Sequence, residues 1–497
     1  MKKLVTVLFA VLMMLGGVFT NTIVHAADQI EPPATIAELF PDQALAEIIA
    51  KSFRPVKQVN DIVTQTDLDT IKQVWSPNYA NEDEDPVPGV QTLAGIERLT
   101  HLAKIDLAQH SISDVTPLAG LTELTYLDLS YNEIEDISAL AGLTKMSDFR
   151  MRDNKISDIS VMANFTRLEN TYMDSNLISD IKPITQLSML TTIYLDMNQI
   201  SELPDMSEMS SLNYLSLQVN FITDVTPLSE VPTLTILQLS HNKAISDVSS
   251  LATLSQLQTL YISNMQLTDV SVLGNMPLLM NLGFDTNQVS DISVLSNLQN
   301  LTHVQFGNNN ISELPDLTGL TNLYTIGMDG NHIQDISSLA VLPSLLSVSA
   351  SRQTIVLDEQ TVVDGSFTLS NETVALDGSF LAPDTISNSG VFLNGSIAWS
   401  DLSNETNVLS YTWSQRLSNG IFVNYSGTVT QPITFIGDGH TSGENSAEGN
   451  YDSGINSSIN NQVTLPVTGG VNTELLIAGG IMAFGATLLL RKSVKRK

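Results

Sequence analysis

The chain has 497 residues, no cysteine, and 53 acidic against 22 basic side chains, which gives a formal net charge of −31. Such a charge argues against a phosphate-binding, nucleic-acid role. The lack of cysteine excludes a disulfide framework and thiol chemistry, and the length is sufficient for several domains.

Residues 1–26 predict a secretory signal peptide. Lys2 and Lys3 precede an apolar run over residues 4–18, and small residues lead to a cleavage site between Ala26 and Ala27. An uncleaved membrane anchor is the alternative, which the small residues at the exit disfavour.

Residues 27–77 predict a helical cap. Asp42 can cap a helix that carries Leu45, Ile48 and Ile49 on one face, and Thr66 is expected to cap a second, short helix. A helical pair could also read DNA, but the acidic balance and the export signal disfavour that function. We therefore expect the helices to cover the open end of a repeat array.

The acidic run NEDEDP at residues 81–86 offers oxygen ligands for calcium. It lacks the ligand spacing and the glycine of a calcium-binding loop, so a solvated loop is the favoured interpretation.

Residues 78–355 predict a solenoid of about 12 repeats of 22 residues. The phrase LTYLDLSYNEIEDISALAGL from Leu124 recurs with the L-x-x-L-x-L-x-x-N pattern of leucine-rich repeats. Its leucines are expected to stack inside, and its asparagines to form a ladder that satisfies backbone groups at the turn. The ladder asparagines are Asn132, Asn154, Asn176, Asn198, Asn220, Asn242, Asn287, Asn309 and Asn331, with His110, Met265 and Gln353 at equivalent positions.

The residues two, four and six positions before each ladder residue are expected on the concave face, because side chains alternate along a strand. Aromatic and arginine side chains of this kind often anchor protein interfaces, although β-propensity alone could also place tyrosine there. The predicted partner-binding residues are Tyr126, Asp128, Arg150, Arg152, Tyr172, Tyr194, Tyr214, Phe221 and Tyr261. Toward the C-terminus glycine and serine replace them, so contact is expected in the N-terminal two-thirds.

Residues 356–436 change to short alternating runs with turns at Asp364-Gly365 and Asn394-Gly395, which predicts an all-β domain. Residues 437–464 are rich in Gly, Ser and Asn and predict a flexible linker.

The order of these parts resembles the internalin family. The cap sequence TIAELFPDQALAEIIAKSF, the repeats with ISDVTPLAGLTEL, and the segment GSFLAPDTISNSGVFLNGSIAWSDL carry the resemblance. It implies an α/β leucine-rich-repeat solenoid with an N-terminal helical cap, followed by an immunoglobulin-like domain. It also implies binding of a host surface protein in adhesion, invasion or virulence.

Residues 465–497 contain the sequence LPVTG, an apolar run at 475–490 and a basic end. This tail resembles a sorting signal of the LPXTG type, read by a wall-anchoring sortase. The resemblance implies recognition of Leu465, Pro466, Val467, Thr468 and Gly469, with Thr468 joined covalently to a peptidoglycan cross-bridge. The apolar run would contact the membrane only transiently; an ordinary membrane anchor is the alternative.

No phosphate loop, nucleophile motif or metal-spaced histidine pair is present, so we expect neither enzymatic activity, nor a cofactor, nor a metal site. The sequence thus predicts a monomeric, secreted protein anchored covalently to the wall of a Gram-positive bacterium, with a protein partner on its concave face. A structural wall protein or a glycan-binding protein without a host receptor is the alternative.

Overall fold

The computed structural model describes residues 30–76, 89–418 and 420–435. Within them, no helix is both long and apolar enough to cross a bilayer.

The N-terminal cap contains three short helices and a two-stranded antiparallel sheet. Asp42 caps the second helix, because its Oδ1 accepts from the Leu45 N–H at 3.0 Å. The expectation that Thr66 caps the next helix is wrong. Thr64 does so, since its hydroxyl and the Asp67 carboxylate each accept the other's backbone N–H. The elements are α1 (Ile36–Leu39), α2 (Gln43–Ser52), α3 (Gln65–Leu68), β1 (Ala34–Thr35) and β2 (Ile62–Val63).

Asp42 also joins the cap to the first repeat. Its second oxygen, Oδ2, accepts from the backbone N–H groups of Gln91 and Thr92 at 2.8 and 3.1 Å. Buried apolar side chains of α2, among them Leu45 and Ile49, are continuous with the solenoid core. The cap therefore covers the open end of the array.

The solenoid is a single parallel sheet in which each three-residue strand pairs with the next repeat. It begins at Gln73, ahead of the predicted start at residue 78, so the last strand of the predicted cap belongs to the sheet. The strands are β3 (Gln73–Trp75), β4 (Lys104–Asp106), β5 (Tyr126–Asp128), β6 (Asp148–Arg150), β7 (Asn170–Tyr172), β8 (Thr192–Tyr194), β9 (Tyr214–Ser216), β10 (Ile236–Gln238), β11 (Thr259–Tyr261), β12 (Asn281–Gly283), β13 (His303–Gln305), β14 (Thr325–Gly327) and β15 (Ser347–Val356).

The outer side of the solenoid is formed by short 3₁₀ helices, and the α-helices lie in the cap. A repeat of 22 residues leaves too few residues for an α-helix after the strand and two turns. An aspartate starts most of these segments, as where Asp136 accepts from the Ser138 N–H at 2.8 Å. The 3₁₀ helices are Ile96–Arg98, Thr116–Leu118, Ser138–Gly142, Ser160–Asn164, Lys182–Ile184, Thr226–Glu230, Ser249–Thr253, Ser271–Asn275, Ser293–Asn297 and Ser337–Val341.

The leucines of the repeat fill the interior, and the side chains of the asparagines form hydrogen bonds with backbone groups. Leu124, Leu127 and Leu129 are fully buried, and each contributes about 1.5–3 kcal/mol. The Asn198 Oδ1 accepts from the Ile178 N–H at 3.0 Å, and its Nδ2 donates to the carbonyls of Met173 and Leu195 at 3.0 and 3.1 Å. Each such side chain therefore connects two adjacent repeats.

Three ladder positions carry a residue other than asparagine. His110 and Gln353 keep the hydrogen bond to the preceding repeat, and Met265 does not. His110 Nδ1 accepts from the Val90 N–H at 3.1 Å, and Gln353 Oε1 accepts from the Ile333 N–H at 2.9 Å. Met265 cannot accept in this way. The extra residue before it turns the chain so that the Ile245 N–H donates to the Asn242 carbonyl, which makes an apolar residue tolerable there.

Residues 356–435 extend the sheet of the solenoid and also form a separate sheet of three strands. The last solenoid strand, β15, pairs in parallel with β22, and the separate sheet is antiparallel in the order β17-β20-β19. Trp413, Tyr411 and Tyr425 are buried at this junction, and Tyr411 Oη accepts from Gln334 Nε2 at 3.2 Å. The strands are β16 (Gln360–Val362), β17 (Phe367–Ser370), β18 (Thr385–Ile386), β19 (Val391–Leu393), β20 (Ser396–Trp399), β21 (Val408–Leu417) and β22 (Phe422–Phe435).

Candidate binding site on the concave face

The concave face of the N-terminal repeats carries a continuous stack of aromatic rings and guanidinium groups. The Trp75 and Tyr126 rings are stacked with centroids 6.0 Å apart. Tyr172 stacks on Tyr194 at 5.0 Å, and Tyr194 on Tyr214 at 4.5 Å. Neighbouring strands lie about 4.8 Å apart, so the Tyr172 and Tyr194 rings, which lie at the same level of adjacent strands, are spaced for stacking.

Two arginines join the two groups of rings. The Arg150 guanidinium lies 5.2 Å from the Tyr126 centroid and 4.6 Å from that of Tyr172. The Arg152 guanidinium lies 4.8 Å from Tyr172 and 5.1 Å from Tyr194. Each such contact contributes about 0.5–2 kcal/mol, depending on desolvation. We name the seven residues Trp75, Tyr126, Arg150, Arg152, Tyr172, Tyr194 and Tyr214 the concave stack.

Carboxylates fix the orientation of both arginines. Asp148 accepts two bonds from Arg150, at 2.6 Å from Nε and 3.0 Å from Nη2. The Arg152 Nε lies 2.7 Å from Asp174 Oδ2, which makes an ion pair without hydrogen-bond geometry. The hydrogen bond that Arg150 donates to Asp148 raises the pKa of Arg150 above its usual value, so Arg150 is charged at every physiological pH. The stack is therefore ordered before any partner binds.

Two aspartates in this region are buried enough that their pKa values are raised. Burial, and next the charge of Asp128, raise the pKa of Asp106 to about 6. Burial also raises the pKa of Asp174 to about 6, although Arg152 opposes the shift. The N-terminal concave face thus changes charge in the weakly acidic range.

The remaining predicted contact residues are not members of the concave stack. Asp128 is 9% exposed and accepts from the Ser130 N–H at 3.0 Å, which indicates a structural contact. The Tyr261 ring lies against Gly283, where an added Cβ would meet its Cδ1 at 2.8 Å. Phe221 is 63% exposed and follows the ladder asparagine, beyond strand β9.

Sequence reasoning missed Trp75, which is 57% exposed at the N-terminal end of the stack. The 22-residue count could not place it, because residues 77–88 interrupt the period between β3 and β4. The pairing of Trp75 with Asp106 assigns it to the same column as Arg150, Tyr172 and Tyr194.

Several predicted features lie outside the described residues. They are the cleavage site at Ala26 and Ala27, the acidic run 81–86, the linker, the LPVTG sequence at 465–469 and the apolar run 475–490. Across residues 30–76, 89–418 and 420–435, no cluster of three or more His, Asp or Glu side chains is placed to hold a metal ion.

Comparison with known families matches the cap and the repeats separately. Residues 24–69 match the family described as "Bacterial adhesion/invasion protein N terminal". Residues 122–164 and 299–341 match "Leucine Rich repeats (2 copies)", and residues 378–434 match "LRR adjacent". These matches fall on the cap, the solenoid and the β domain, in that order along the chain.

Known relatives and solved structures agree with these matches. Internalin I of Listeria monocytogenes serotype 4b is 37% identical over 86 residues, which is 17% of this chain but 5% of that protein. The InlJ functional domain from L. monocytogenes, at 22% identity, covers 80% of this chain and 98% of that one with a TM-score of 0.52, and shows the fold alone. An internalin (inlF) crystal structure from L. monocytogenes is 30% identical with a TM-score of 0.59, and covers 64% of this chain and 92% of that one. The chain therefore belongs to the internalin family of leucine-rich-repeat proteins.

Proposed function

We propose that this chain is a non-enzymatic, wall-anchored surface protein that binds a host surface protein through its concave stack, in adhesion or invasion. The observation that carries the proposal is the ordered run of rings and guanidinium groups over the N-terminal repeats. Tyrosine, tryptophan and arginine are the side chains that most often dominate protein interfaces. A rigid stack loses little conformational entropy on binding, which favours affinity.

The stack geometry favours a protein partner over a glycan. A sugar ring packs on an open aromatic face, but Tyr172 has Arg150 and Arg152 against its ring, and Tyr194 has a tyrosine on each side. Their edges and hydroxyl groups remain available, and these suit the mixed polar and apolar surface of a protein. The outward side of Trp75 is the place where a glycan would be expected.

The binding proposal is tested with the purified chain on mammalian epithelial cells and, separately, on bacterial wall material. A variant with Tyr126, Arg150, Arg152, Tyr172, Tyr194 and Tyr214 all changed to Ala should lose cell binding. Binding to walls alone, displacement by free sugars, or equal cell binding by both proteins would instead support the structural or glycan-binding function.

We further propose that a sortase cleaves between Thr468 and Gly469 and joins Thr468 to the peptidoglycan cross-bridge. The proposal rests on the LPVTG sequence followed by an apolar run and a basic end. Thr468→Ala should move the protein from the wall fraction to the membrane and medium. Covalent retention in the wall would contradict this mechanism.

We also propose that residues 356–435 are an immunoglobulin-like domain that closes and stiffens the C-terminal end of the solenoid. The separate three-stranded sheet and the buried aromatic junction support this assignment.

A further inference from the structure

The residue before every ladder asparagine adopts a left-handed backbone conformation. Its φ is 50° at Asp153, 55° at Ser175 and 53° at Asn308. Aspartate and asparagine tolerate this region because their short polar side chains bond locally, whereas branched and bulky residues are disfavoured there. The polar residues at most of these positions therefore match the local backbone.

Tyr131, Met197, Val219 and Thr286 are bulky or branched and adopt the same conformation. Of these, Met197 and Val219 are apolar and lie in adjacent repeats. Met197 and Val219 both have a φ of 55°. A β-branched valine in this conformation is strained, and packing does not repay the strain, since the two residues are 45% and 42% exposed. Strain of this kind without a local gain tends to accompany function.

The residue after the ladder asparagine shows the same local change. Phe221 is 63% exposed and Leu177 is 46% exposed, at positions where the other repeats carry polar side chains such as Glu133, Lys155 and Gln288. Leu177, Met197, Val219 and Phe221 thus lie at the C-terminal edge of three consecutive strands. We name these four residues the rim patch.

The rim patch lies on the same three repeats as Tyr172, Tyr194 and Tyr214. Asp174 and Asp196 lie between the two surfaces along strands β7 and β8. The second oxygen of Asp196 has a single protein contact, from Gln218 Nε2 at 3.4 Å. Arg152 of the preceding repeat is paired with Asp174, and none of the concave positions from Asn170 to Gln218 is itself a lysine or arginine. The surface therefore runs from ring edges, across carboxylates, to exposed apolar side chains.

We propose that the rim patch is a second part of the partner-binding surface, and that it receives a protein segment with an apolar side chain flanked by lysine or arginine. The apolar group would cover Val219 and Phe221, and the cation would lie near Asp196. This inference rests on the proposed binding of a protein partner by the concave stack. A second copy of the chain is disfavoured as occupant, because each copy carries a net charge of −31.

The first test uses a fluorescein-labelled peptide of alternating lysine and leucine, titrated into the purified full chain. We expect saturable binding that weakens at least fivefold in the double variant Val219→Asn and Phe221→Gln. A matched peptide of alternating glutamate and leucine should bind neither protein. As a control, Leu278→Gln with Met280→Gln removes side chains that are 39% and 41% exposed elsewhere, and should leave the affinity unchanged.

A second readout separates binding from folding. Asparagine relieves the strain at position 219, so the double variant should melt at the same temperature as the unaltered chain or higher. Equal peptide affinity in the two proteins, or no saturable binding by the unaltered chain, would overturn the proposal. So would a dimer of the unaltered chain in sedimentation that the double variant abolishes, because it would assign the rim patch to a second copy.

Binding to epithelial cells distinguishes this inference from the proposed function. If a Tyr172, Tyr194 and Tyr214 triple serine variant loses cell binding and the rim double variant keeps it, the concave stack stands and the rim patch is excluded. If both variants lose at least tenfold, both proposals are supported. If neither loses binding, both fail.

Discussion

The N-terminal and C-terminal halves of the solenoid share one backbone but differ in what the concave positions present. Around Tyr172 and Tyr194 the strands carry stacked rings and charges, whereas the equivalent positions near the end hold Gly327, Ser349 and Ser351. The asparagine ladder is the same in both halves, at Asn198 as at Asn309. The ladder and the leucine core maintain the fold, which leaves the concave side chains free to differ.

This division predicts that ladder substitutions cost the same free energy in either half. Asn198→Ala and Asn309→Ala each leave buried backbone groups without partners, so each should lower the free energy of unfolding by about 1–3 kcal/mol. Chemical denaturation of the two variants measures this loss. A loss confined to one half would show that the ladder does not support both halves equally.

A smaller effect is expected at Thr171, which lies beneath the concave stack. Its side chain is fully buried, and its hydroxyl has no hydrogen-bond partner. The equivalent inner positions of the C-terminal half are the apolar Val304 and Ile326. Thr171→Val should therefore raise the free energy of unfolding by about 1 kcal/mol. Thermal melts measure it; a destabilised valine variant would mean that the hydroxyl is satisfied in solution.

The smallest expected effect is a pH dependence that arises from buried aspartates such as Asp106. The folded chain holds the Asp106 proton up to a pKa of about 6, above the usual value of 3.8. This group therefore adds most stability below the lower value and loses that contribution as the pH rises through about 6. Lowering the pH from 7 to 5 should raise the melting temperature by roughly 1–4 °C.

Asp106→Asn is the matched variant for this effect, because it removes the titrating proton and keeps the shape of the side chain. It should melt higher than the unaltered chain at pH 7, and its gain between pH 7 and pH 5 should be smaller. An equal gain in both proteins would assign the effect to other groups.

The periodicity of the sequence predicts the repeats, because each repeat buries its leucines and bonds its backbone groups against the neighbouring repeat. Asp42 was predicted as a cap from local spacing, but its second role at Gln91 and Thr92 required the tertiary structure. Thr64 and Thr66 are each followed three residues later by an aspartate, Asp67 and Asp69, so local spacing does not identify Thr64 as the cap.

The sequence predicts which residues of the candidate site share the concave face, but not the contacts among their side chains. Counting residues placed Tyr172, Tyr194 and Arg152 on one face, but not the stacking of their rings, which depends on side-chain rotamers. It could not place Trp75, because residues 77–88 break the period. The sequence shows Val219 only as a valine before an asparagine. Its exposure and its left-handed backbone conformation required the structure.

The most direct test of the central claim compares matched triple variants in the two halves. In one, Tyr172, Tyr194 and Tyr214 become Ser; in the other, Thr325, Ser347 and Ser349 become Ala. The binding of each purified chain to epithelial cells is measured beside its melting temperature. We predict at least a tenfold loss of binding for the tyrosine variant and none for the C-terminal variant, with both proteins folded. Equal binding by the two variants, or loss only in the C-terminal one, would contradict the assignment of partner binding to the N-terminal concave stack.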